Sequence, residues 1–301
     1  MKYVAAIDVG GTSIKSALVD ENFSVITNVI VATPIGDTTG VKTVDAIDDL
    51  VQGFARHKKI SAIGLAVPGS LDEPNGKSLW TGNLQWRNLP IRDLVSRKTG
   101  LPVAFGHDVR AGGLAELRLG AAKTFENAIF IPIGTGIAAA LIIDGAIRSA
   151  AGFAGEIGHL DVGGPYECVC GRKGCLEAVS SALAISKAYE IHTGKKNISA
   201  EEVIKLVIQK DPQAIEVWRD ATSALSKVCA TLITILAPEV IVFGGGVAQA
   251  GSLLLEPIAK ELKNKLTFQK LPELRIAAFG TQAGTIGCAM MAFDLINTSQ
   301  K

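Results

Sequence analysis

Metal-ligating side chains are concentrated in one stretch near the middle of the chain. Three of the five cysteines fall within eight residues, and a histidine lies just upstream: His159, Cys168, Cys170 and Cys175. Gly171 and Gly174 allow the backbone to turn tightly, so that three thiolates can converge on one ion. Three thiolates and an imidazole form a closed ligand set for tetrahedral structural zinc. The alternative, three buried apolar cysteines beside an unrelated histidine, fits poorly with so polar and glycine-rich a segment.

Two carboxylates bracket these ligands. Glu156 precedes His159 by three residues, and Glu177 follows Cys175 by two. Carboxylates that are held near an imidazole can bind vicinal hydroxyl groups, because they accept hydrogen bonds from both. The pattern therefore indicates a hydroxylated ligand beside a structural metal.

The sequence GEIGH followed by CxCGxxGCxE resembles the signature of the ROK family, the repressors, open-reading-frame products and sugar kinases of the actin-like ATPase superfamily. The resemblance extends over nearly the whole chain. It implies an α/β, two-lobed actin-like ATPase (ribonuclease H-like) fold with duplicated phosphate-binding hairpins. It also implies that His159 gives one ring nitrogen to zinc and the other to a sugar, and that Glu156 and Glu177 contact that sugar.

Residues 3–19 have the pattern of a strand, a glycine turn and a second strand. A turn without Cβ atoms brings backbone N–H groups close to phosphate oxygens, and a hydroxyl, a cation and a carboxylate lie nearby. The predicted ATP and magnesium ligands are Asp8, Gly10, Gly11, Thr12 and Lys15. The alternative is an ordinary hairpin turn.

An internal repeat favours phosphate binding. Residues 11–19, GTSIKSALV, match residues 134–142, GTGIAAALI, at Gly, Thr, Ile, Ala and Leu. Two copies of such a turn are what a nucleotide held by two related lobes requires. The second copy adds Gly134, Thr135 and Gly136 to the predicted phosphate ligands; chance similarity between two hairpins is the alternative.

A third glycine turn, Gly244, Gly245 and Gly246, follows a predicted strand at residues 240–243. Bare glycines at a strand end let a flat ring approach the backbone, which predicts an adenosine contact. A plain flexible turn is the competing interpretation.

Asp108 lies where a predicted strand (residues 101–105) gives way to a predicted helix (109–119), an edge at which open α/β sheets bind ligands. Capping of that helix is an equally good reason for an aspartate. The family resemblance implies that Asp108 is the base that accepts the proton of a sugar hydroxyl. His107 stands where the family usually has asparagine, so it bears on which sugar fits.

The resemblance also implies sugar contacts from Gly69 and from Asn83, within a predicted loop at residues 78–86; packing by Trp80 and Trp86 is an alternative reason for that loop's composition.

The composition excludes several classes of protein. The chain has 301 residues, 48% of them hydrophobic and 20% charged, with a net charge of +1 and only 5% aromatic residues. No basic stripe interleaved with aromatic residues appears, so nucleic acid is not an expected partner. No apolar run is long enough to cross a bilayer and no secretion signal is evident, so we expect a cytoplasmic protein. The chain begins at the first phosphate turn, without a DNA-reading helix-turn-helix, which argues against a repressor.

Alternating periodicities predict helices at residues 41–58, 181–192, 200–209, 212–236 and 284–296, and a buried strand at 60–67. We expect a small N-terminal lobe, residues 1–115 with 285–301, and a larger C-terminal lobe, 116–284, which carries the zinc loop and a helical insertion. Cys229 is expected to be a core residue.

These features predict an ATP-dependent hexose kinase that uses ATP, Mg²⁺ and structural Zn²⁺, with glucose phosphorylated at O6. Kinases of N-acetylmannosamine, N-acetylglucosamine or fructose, polyphosphate as the donor, and a catalytically silent sugar sensor stay open. We expect a homodimer or homotetramer.

Overall fold

The computed structural model describes residues 1–298. Its strands are β1 (Tyr3–Val9), β2 (Ser13–Asp20), β3 (Val25–Ala32), β4 (Ile60–Val67), β5 (Ser70–Asp72), β6 (Lys77–Thr81), β7 (Trp86–Leu89), β8 (Val103–His107), β9 (Ala128–Pro132), β10 (Ala140–Ile143), β11 (Ala146–Arg148), β12 (Val240–Gly244) and β13 (Glu273–Ile276). Its α-helices are α1 (Val41–Ala55), α2 (Ile91–Thr99), α3 (Asp108–Arg118), α4 (Glu177–Ser180), α5 (Ala182–Thr193), α6 (Ala200–Ile208), α7 (Pro212–Leu236), α8 (Ser252–Lys265) and α9 (Ala283–Thr298).

The chain divides into two compact units. The first consists of Met1–Ala115, Ser149–Ala154 and the described residues from Gln282 onward; the second consists of Glu116–Arg148 and Gly155–Thr281. Ser149–Ala154 therefore packs with the first unit, whereas the predicted lobe boundaries placed it in the second. Those lobe boundaries stay a prediction, and residues 299–301 of the predicted N-terminal lobe lie outside the described part of the chain.

The first unit contains a five-stranded sheet with the order β3-β2-β1-β4-β8. Side chains alternate between its faces, because successive residues of a strand point in opposite directions. Ile7 and Ile63 belong to the core cluster that includes residues of α1 and α2, whereas Ala6 and Ala62 belong to the cluster that includes α9. A separate three-stranded sheet, β5-β6-β7, belongs to the same unit.

The second unit contains a five-stranded sheet with the order β11-β10-β9-β12-β13. Apolar residues of β9 and β12 share a core with α5 to α8, and the long helix α7 supplies many of its buried side chains. Cys229 of α7 is fully buried in this core, as the sequence predicted.

The two large sheets have the same strand order and the same directions. In the first, β2 pairs antiparallel with β1 and β3, and β1, β4 and β8 are parallel. In the second, β10 pairs antiparallel with β9 and β11, and β9, β12 and β13 are parallel. The internal repeat thus corresponds to equivalent hairpins, β1–β2 and β9–β10, in two related sheets.

The predicted loop at residues 78–86 is wrong in part. Its ends form β6 and β7, and only the turn between them, which contains Asn83, is irregular. Trp80, Thr81 and Trp86 have high strand propensity, and pairing of β6 with β5 and β7 overrides the polar composition of the segment.

Within the described residues, no helix is long and apolar enough to cross a membrane.

Candidate functional site

The first glycine turn joins β1 to β2 in a tight hairpin. The Gly10 N–H donates to the Ser13 carbonyl at 2.9 Å, and the Thr33 hydroxyl donates to the Gly10 carbonyl at 2.8 Å. Thr12 is exposed at the tip. A Cβ at Gly11 would lie only 2.9 Å from the Cβ of Asn83, so glycine is required for this close approach. The turn and Asn83 are therefore neighbours within the first unit.

Two carboxyl groups of the first unit have strongly perturbed acidity. Burial raises the pKa of Asp8 to about 7, and the nearby Asp108 carboxylate adds to the rise while Lys15 opposes it. Burial also raises the pKa of Asp108 to about 6, against the lowering effects of the Val109 N–H and of Arg110. Asp8, Lys15 and Asp108 are thus brought together electrostatically, although they come from β1, β2 and the start of α3. Perturbed carboxyl groups of this kind cluster at functional sites.

Asp108 lies at the predicted strand–helix junction, although β8 ends two residues later than predicted and α3 begins at Asp108 itself. Its Oδ1 accepts the Val109 N–H at 2.7 Å and lies 3.1 Å from Nδ1 of His107. His107 is buried, with 5% of its side chain exposed, whereas Asp108 keeps 27%. The histidine is therefore part of the wall around the carboxylate and not a surface residue.

An ion pair between the buried Arg110 and the partly exposed Glu73 lies beside His107, and the sequence analysis did not predict it. Oε1 of Glu73 accepts from the His107 backbone N–H at 3.2 Å and from Nε of Arg110 at 3.1 Å. Glu73 lies between β5 and β6, 37 positions before Arg110, and no spacing rule connects residues so far apart. Arg110 is the third residue of α3 and is buried, and a buried arginine is normally paired.

Gly69 follows β4 with φ +91°, and a Cβ there would clash with the carbonyl of Trp80. Trp86 is buried and its indole N–H donates to the Asp37 carbonyl at 2.7 Å, so its role is structural. Trp80 is 39% exposed. Asn83 is exposed in the β6–β7 turn.

The second glycine turn lies between β9 and β10. Thr135 and Gly136 are exposed, and the Gly134 N–H donates to the Gly136 carbonyl at 3.1 Å. The Ile137 N–H donates to Oε2 of Glu177 at 2.9 Å. Glu177, predicted to contact sugar, therefore also contacts this turn.

The third glycine turn follows β12 and packs against the second. The Ile133 N–H donates to the Gly244 carbonyl at 2.9 Å, and the Val247 N–H donates to the Ile133 carbonyl at 3.2 Å. Gly244 is buried against the ring of Phe130, which gives a structural reason for glycine at this position. Gly246 is exposed, with no atom within 4 Å of where a Cβ would lie.

The metal ligands predicted from the sequence converge in the second unit. One ligand atom from each of His159, Cys168, Cys170 and Cys175 lies within 4.8 Å of the others. Nδ1 of His159 is 3.6 Å from the Cys168 sulfur, and the Cys170 and Cys175 sulfurs are 3.6 Å apart. Tetrahedral zinc, with bonds of about 2.3 Å to sulfur and about 2.0 Å to nitrogen, requires separations of roughly 3.5–3.8 Å. The four side chains therefore fit zinc.

The surroundings favour the thiolate form of Cys170 and disfavour that of Cys168 and Cys175, whose pKa values burial raises. Hydrogen bonds from the backbone and side chain of Arg172 lower the pKa of Cys170 to about 6, whereas burial raises that of Cys175 to about 12. Nη2 of Arg172 also donates to the His159 carbonyl at 2.6 Å, which ties the cysteine turn to the histidine. Because Nδ1 faces the thiols, Nε2 is the ring nitrogen left for a second ligand.

Comparison with known proteins places these observations in a family. The ROK family model matches residues 4–294. The glucokinase of Halalkalibacterium halodurans is 32% identical, in an alignment that covers all of this chain and 98% of that protein. The xylose repressor of Bacillus subtilis is 26% identical, over 97% of this chain and 77% of the repressor.

A solved structure shares the fold over almost its whole length. It is a ROK family glucokinase from Streptomyces griseus in complex with glucose and AMPPNP, with a TM-score of 0.87, 29% sequence identity, and coverage of 97% of this chain and 99% of that one. These matches confirm the resemblance that the metal-ligand signature suggested, and they agree with the duplicated sheets of an actin-like ATPase fold. The chain belongs to the ROK family.

Proposed function

We propose that this chain is an ATP-dependent sugar kinase that transfers the γ-phosphoryl group of ATP to O6 of glucose, with Asp108 as the general base. The observation that carries the proposal is the position of Asp108. It begins a helix at a sheet edge, its pKa is raised to about 6, and it lies close enough to Asp8, at the first glycine turn, to raise the pKa of that carboxyl.

In the proposed reaction Asp108 accepts the proton of the sugar hydroxyl as the oxygen attacks the γ-phosphorus in line, and ADP leaves with the electron pair of the broken P–O bond. Since Oδ1 already accepts the Val109 N–H, Oδ2 is the oxygen that we assign to the substrate proton. A carboxylate with a pKa of about 6 is ionised at neutral pH, yet it is basic enough to take a proton.

We assign hydrogen bonds to the phosphate oxygens to the exposed hydroxyls of Thr12 and Thr135 and to the backbone N–H groups of Gly11 and Gly136. Magnesium is assigned to Asp8, because a divalent cation would offset the repulsion between this carboxylate and that of Asp108, which Lys15 opposes only in part. When bound, magnesium neutralises charge on the transferred phosphoryl group. Gly245 and Gly246 are assigned to the adenosine.

The proposed sugar contacts are Asn83, His107 and Gly69 within the first unit. Within the second unit they are Glu156, His159 and Glu177. Zinc bound by three thiolates and His159 has no open position for phosphate, so its role is to orient the imidazole and the flanking glutamates. That Asp108 and Nε2 of His159 face the same sugar stays a prediction.

Glucose is our first choice because the H. halodurans relative is a glucokinase and the S. griseus enzyme was solved with glucose. The similarity to a xylose repressor keeps a sugar sensor without turnover as the second candidate. A cytoplasmic location and a homodimer or homotetramer remain part of the proposal.

A coupled ADP-release assay tests the function. Zinc content is measured on the same sample, and the panel contains glucose, mannose, fructose, N-acetylglucosamine and N-acetylmannosamine, with ATP as the donor. With polyphosphate, which yields no ADP, the sugar phosphate itself is measured. We expect glucose and ATP to give the highest kcat/KM, with one zinc per chain. If the protein binds sugar but forms neither ADP from ATP nor sugar phosphate from polyphosphate with any sugar of the panel, the sensor is favoured.

A further inference from the structure

The segment that carries the metal ligands is fastened to the second glycine turn. We call residues 155–177 the metal loop and residues 133–137 the second phosphate turn. We propose that Glu177 is a positioning residue for this turn, so that the metal loop supports nucleotide binding in addition to sugar binding. The inference rests on the proposed function, because it assigns the turn to the phosphates of ATP.

The C-terminal end of the metal loop contacts the turn directly. Oε2 of Glu177 accepts the Ile137 N–H at 2.9 Å, and a Cβ at Gly136 would lie 2.5 Å from the same oxygen. Glu177 is two residues beyond the ligand Cys175. Leu176 between them is fully buried, and its N–H donates to the Leu160 carbonyl at 2.9 Å. The position of the Glu177 carboxylate is therefore fixed by the adjacent Leu176, which is bonded to Leu160 within the metal loop.

The N-terminal end of the metal loop packs on the same segment. The Ala139 N–H donates to the Gly155 carbonyl at 2.8 Å. A Cβ at Gly158 would clash with the Ile137 carbonyl, so the residue beside the ligand His159 lies in close contact with the backbone just after the turn. Both ends of the metal loop therefore contact residues 137–139.

The N-terminal side of the turn is held by Ile133, whose N–H and carbonyl bond Gly244 and Val247, and by the Gly134 carbonyl, which accepts the Ala182 N–H. Glu177 supplies the carboxylate that holds its C-terminal side. Thr135 and Gly136 are exposed, so they contribute little packing. A hydrogen bond to an ionised carboxylate is stronger than one between neutral groups, and it fixes the direction of the Ile137 N–H. A metal-free loop, with its thiols no longer drawn to one ion, holds Glu177 less firmly, and the turn loses that support.

The test is the affinity for AMPPNP, measured by titration calorimetry on the zinc-loaded protein without sugar. Glu177→Ala is expected to raise the AMPPNP Kd about tenfold, because the Ile137 N–H loses its charged acceptor. Glu177→Gln keeps an amide oxygen for this N–H and should restore most of the affinity. Glu201→Ala is the control, since this exposed carboxylate of α6 pairs with Lys205 and not with the turn; its AMPPNP Kd should stay within about twofold of wild type.

Chelation supplies the second arm. Metal-free wild-type protein, checked by circular dichroism to be folded, should bind AMPPNP about tenfold more weakly, whereas chelation should add little to Glu177→Ala, because the two changes remove one support. Wild-type AMPPNP affinity in Glu177→Ala, or effects of mutation and chelation that simply add, would overturn the inference and leave the kinase assignment intact. A wild-type protein that binds no AMPPNP overturns the proposed function itself and the inference with it.

Discussion

Burial makes two carboxyl groups of the first unit unusually basic. Asp8 has a pKa of about 7 and Asp108 a pKa of about 6, and the negative charge of Asp108 contributes to the shift of Asp8. Their environment separates them from ordinary surface aspartates, and the buried His107 and the Glu73–Arg110 pair hold the region around Asp108 in shape. The activity and the stability of the protein should therefore depend on pH in the range where Asp108 titrates.

The activity should fall as Asp108 gains a proton. Its carboxylate must be ionised to act as the base, so kcat/KM for the sugar should decline below about pH 6 with a slope near one proton. The measurement is ADP release at low sugar concentration across the acid range, at saturating ATP and magnesium. A profile that stays flat down to about pH 4, the ordinary range of an aspartate, would contradict this assignment.

Asp108→Asn should stabilise the protein at neutral and higher pH. Burial raises the folded-state pKa above the ordinary 3.8, so the folded chain binds this proton more tightly than the unfolded chain does. Below the ordinary pKa the Asp108 carboxyl group therefore does not lower the free energy of unfolding. As pH rises through about 6, the buried carboxylate lowers that free energy. We expect a gain of about 1–3 kcal/mol in the free energy of unfolding at alkaline pH.

Urea unfolding of wild type and Asp108→Asn at several pH values checks this, with the exposed Asp49→Asn as control. The gain should shrink towards acid. A gain that grows towards acid, or an equal gain in the control, would show that the carboxylate carries no burial cost.

At the scale of elements, the long periodic segments were predicted well. The expected helices at 41–58 and 212–236 appear as α1 and α7, and the expected strands at 60–67 and 240–243 appear as β4 and β12. Burial of one regular face decides these elements, and that face is visible as a period. The strands β6 and β7 were missed, since their pairing depends on partners and not on their own pattern.

The site could be predicted only where its residues lie close in sequence. The four metal ligands span seventeen residues and converge as expected. The Glu73–Arg110 pair and the Glu177–Ile137 hydrogen bond join residues 37 and 40 positions apart, and the fold alone brings them together. No local spacing carries such information.

The third glycine turn offers a matched pair of substitutions. Gly245 has φ +77°, and a Cβ there would clash with the Ile133 carbonyl, whereas Gly246 lies in open space. Gly245→Ala should therefore lower the free energy of unfolding by roughly 2 kcal/mol or more. Gly246→Ala should change it by less than about 0.5 kcal/mol. Thermal unfolding of both variants measures the difference, and similar melting temperatures would mean that the turn does not hold this backbone conformation.

Each of the two units contains an equivalent five-stranded sheet. Two sheets with the same strand order each present a hairpin turn at the end of the central strand, β1–β2 in one unit and β9–β10 in the other. The sequence repeat indicated this duplication, because the glycine and threonine of each turn recur at the same offsets. The metal loop is found only once, in the second unit, among the residues that the structure describes. The described residues thus contain a duplicated sheet and one metal loop, which belongs to the second unit alone.

The central claim is that Asp108 enables phosphoryl transfer from ATP to O6 of glucose, and identification of the product tests it most directly. Zinc-loaded wild type and Asp108→Asn are incubated with glucose and MgATP, and the products are resolved by phosphorus NMR. We expect wild type to form glucose 6-phosphate and ADP in equal amounts, and Asp108→Asn to bind glucose with its rate reduced about 10²–10⁴-fold. Formation of no sugar phosphate by wild type, or an undiminished rate in Asp108→Asn, would contradict the account.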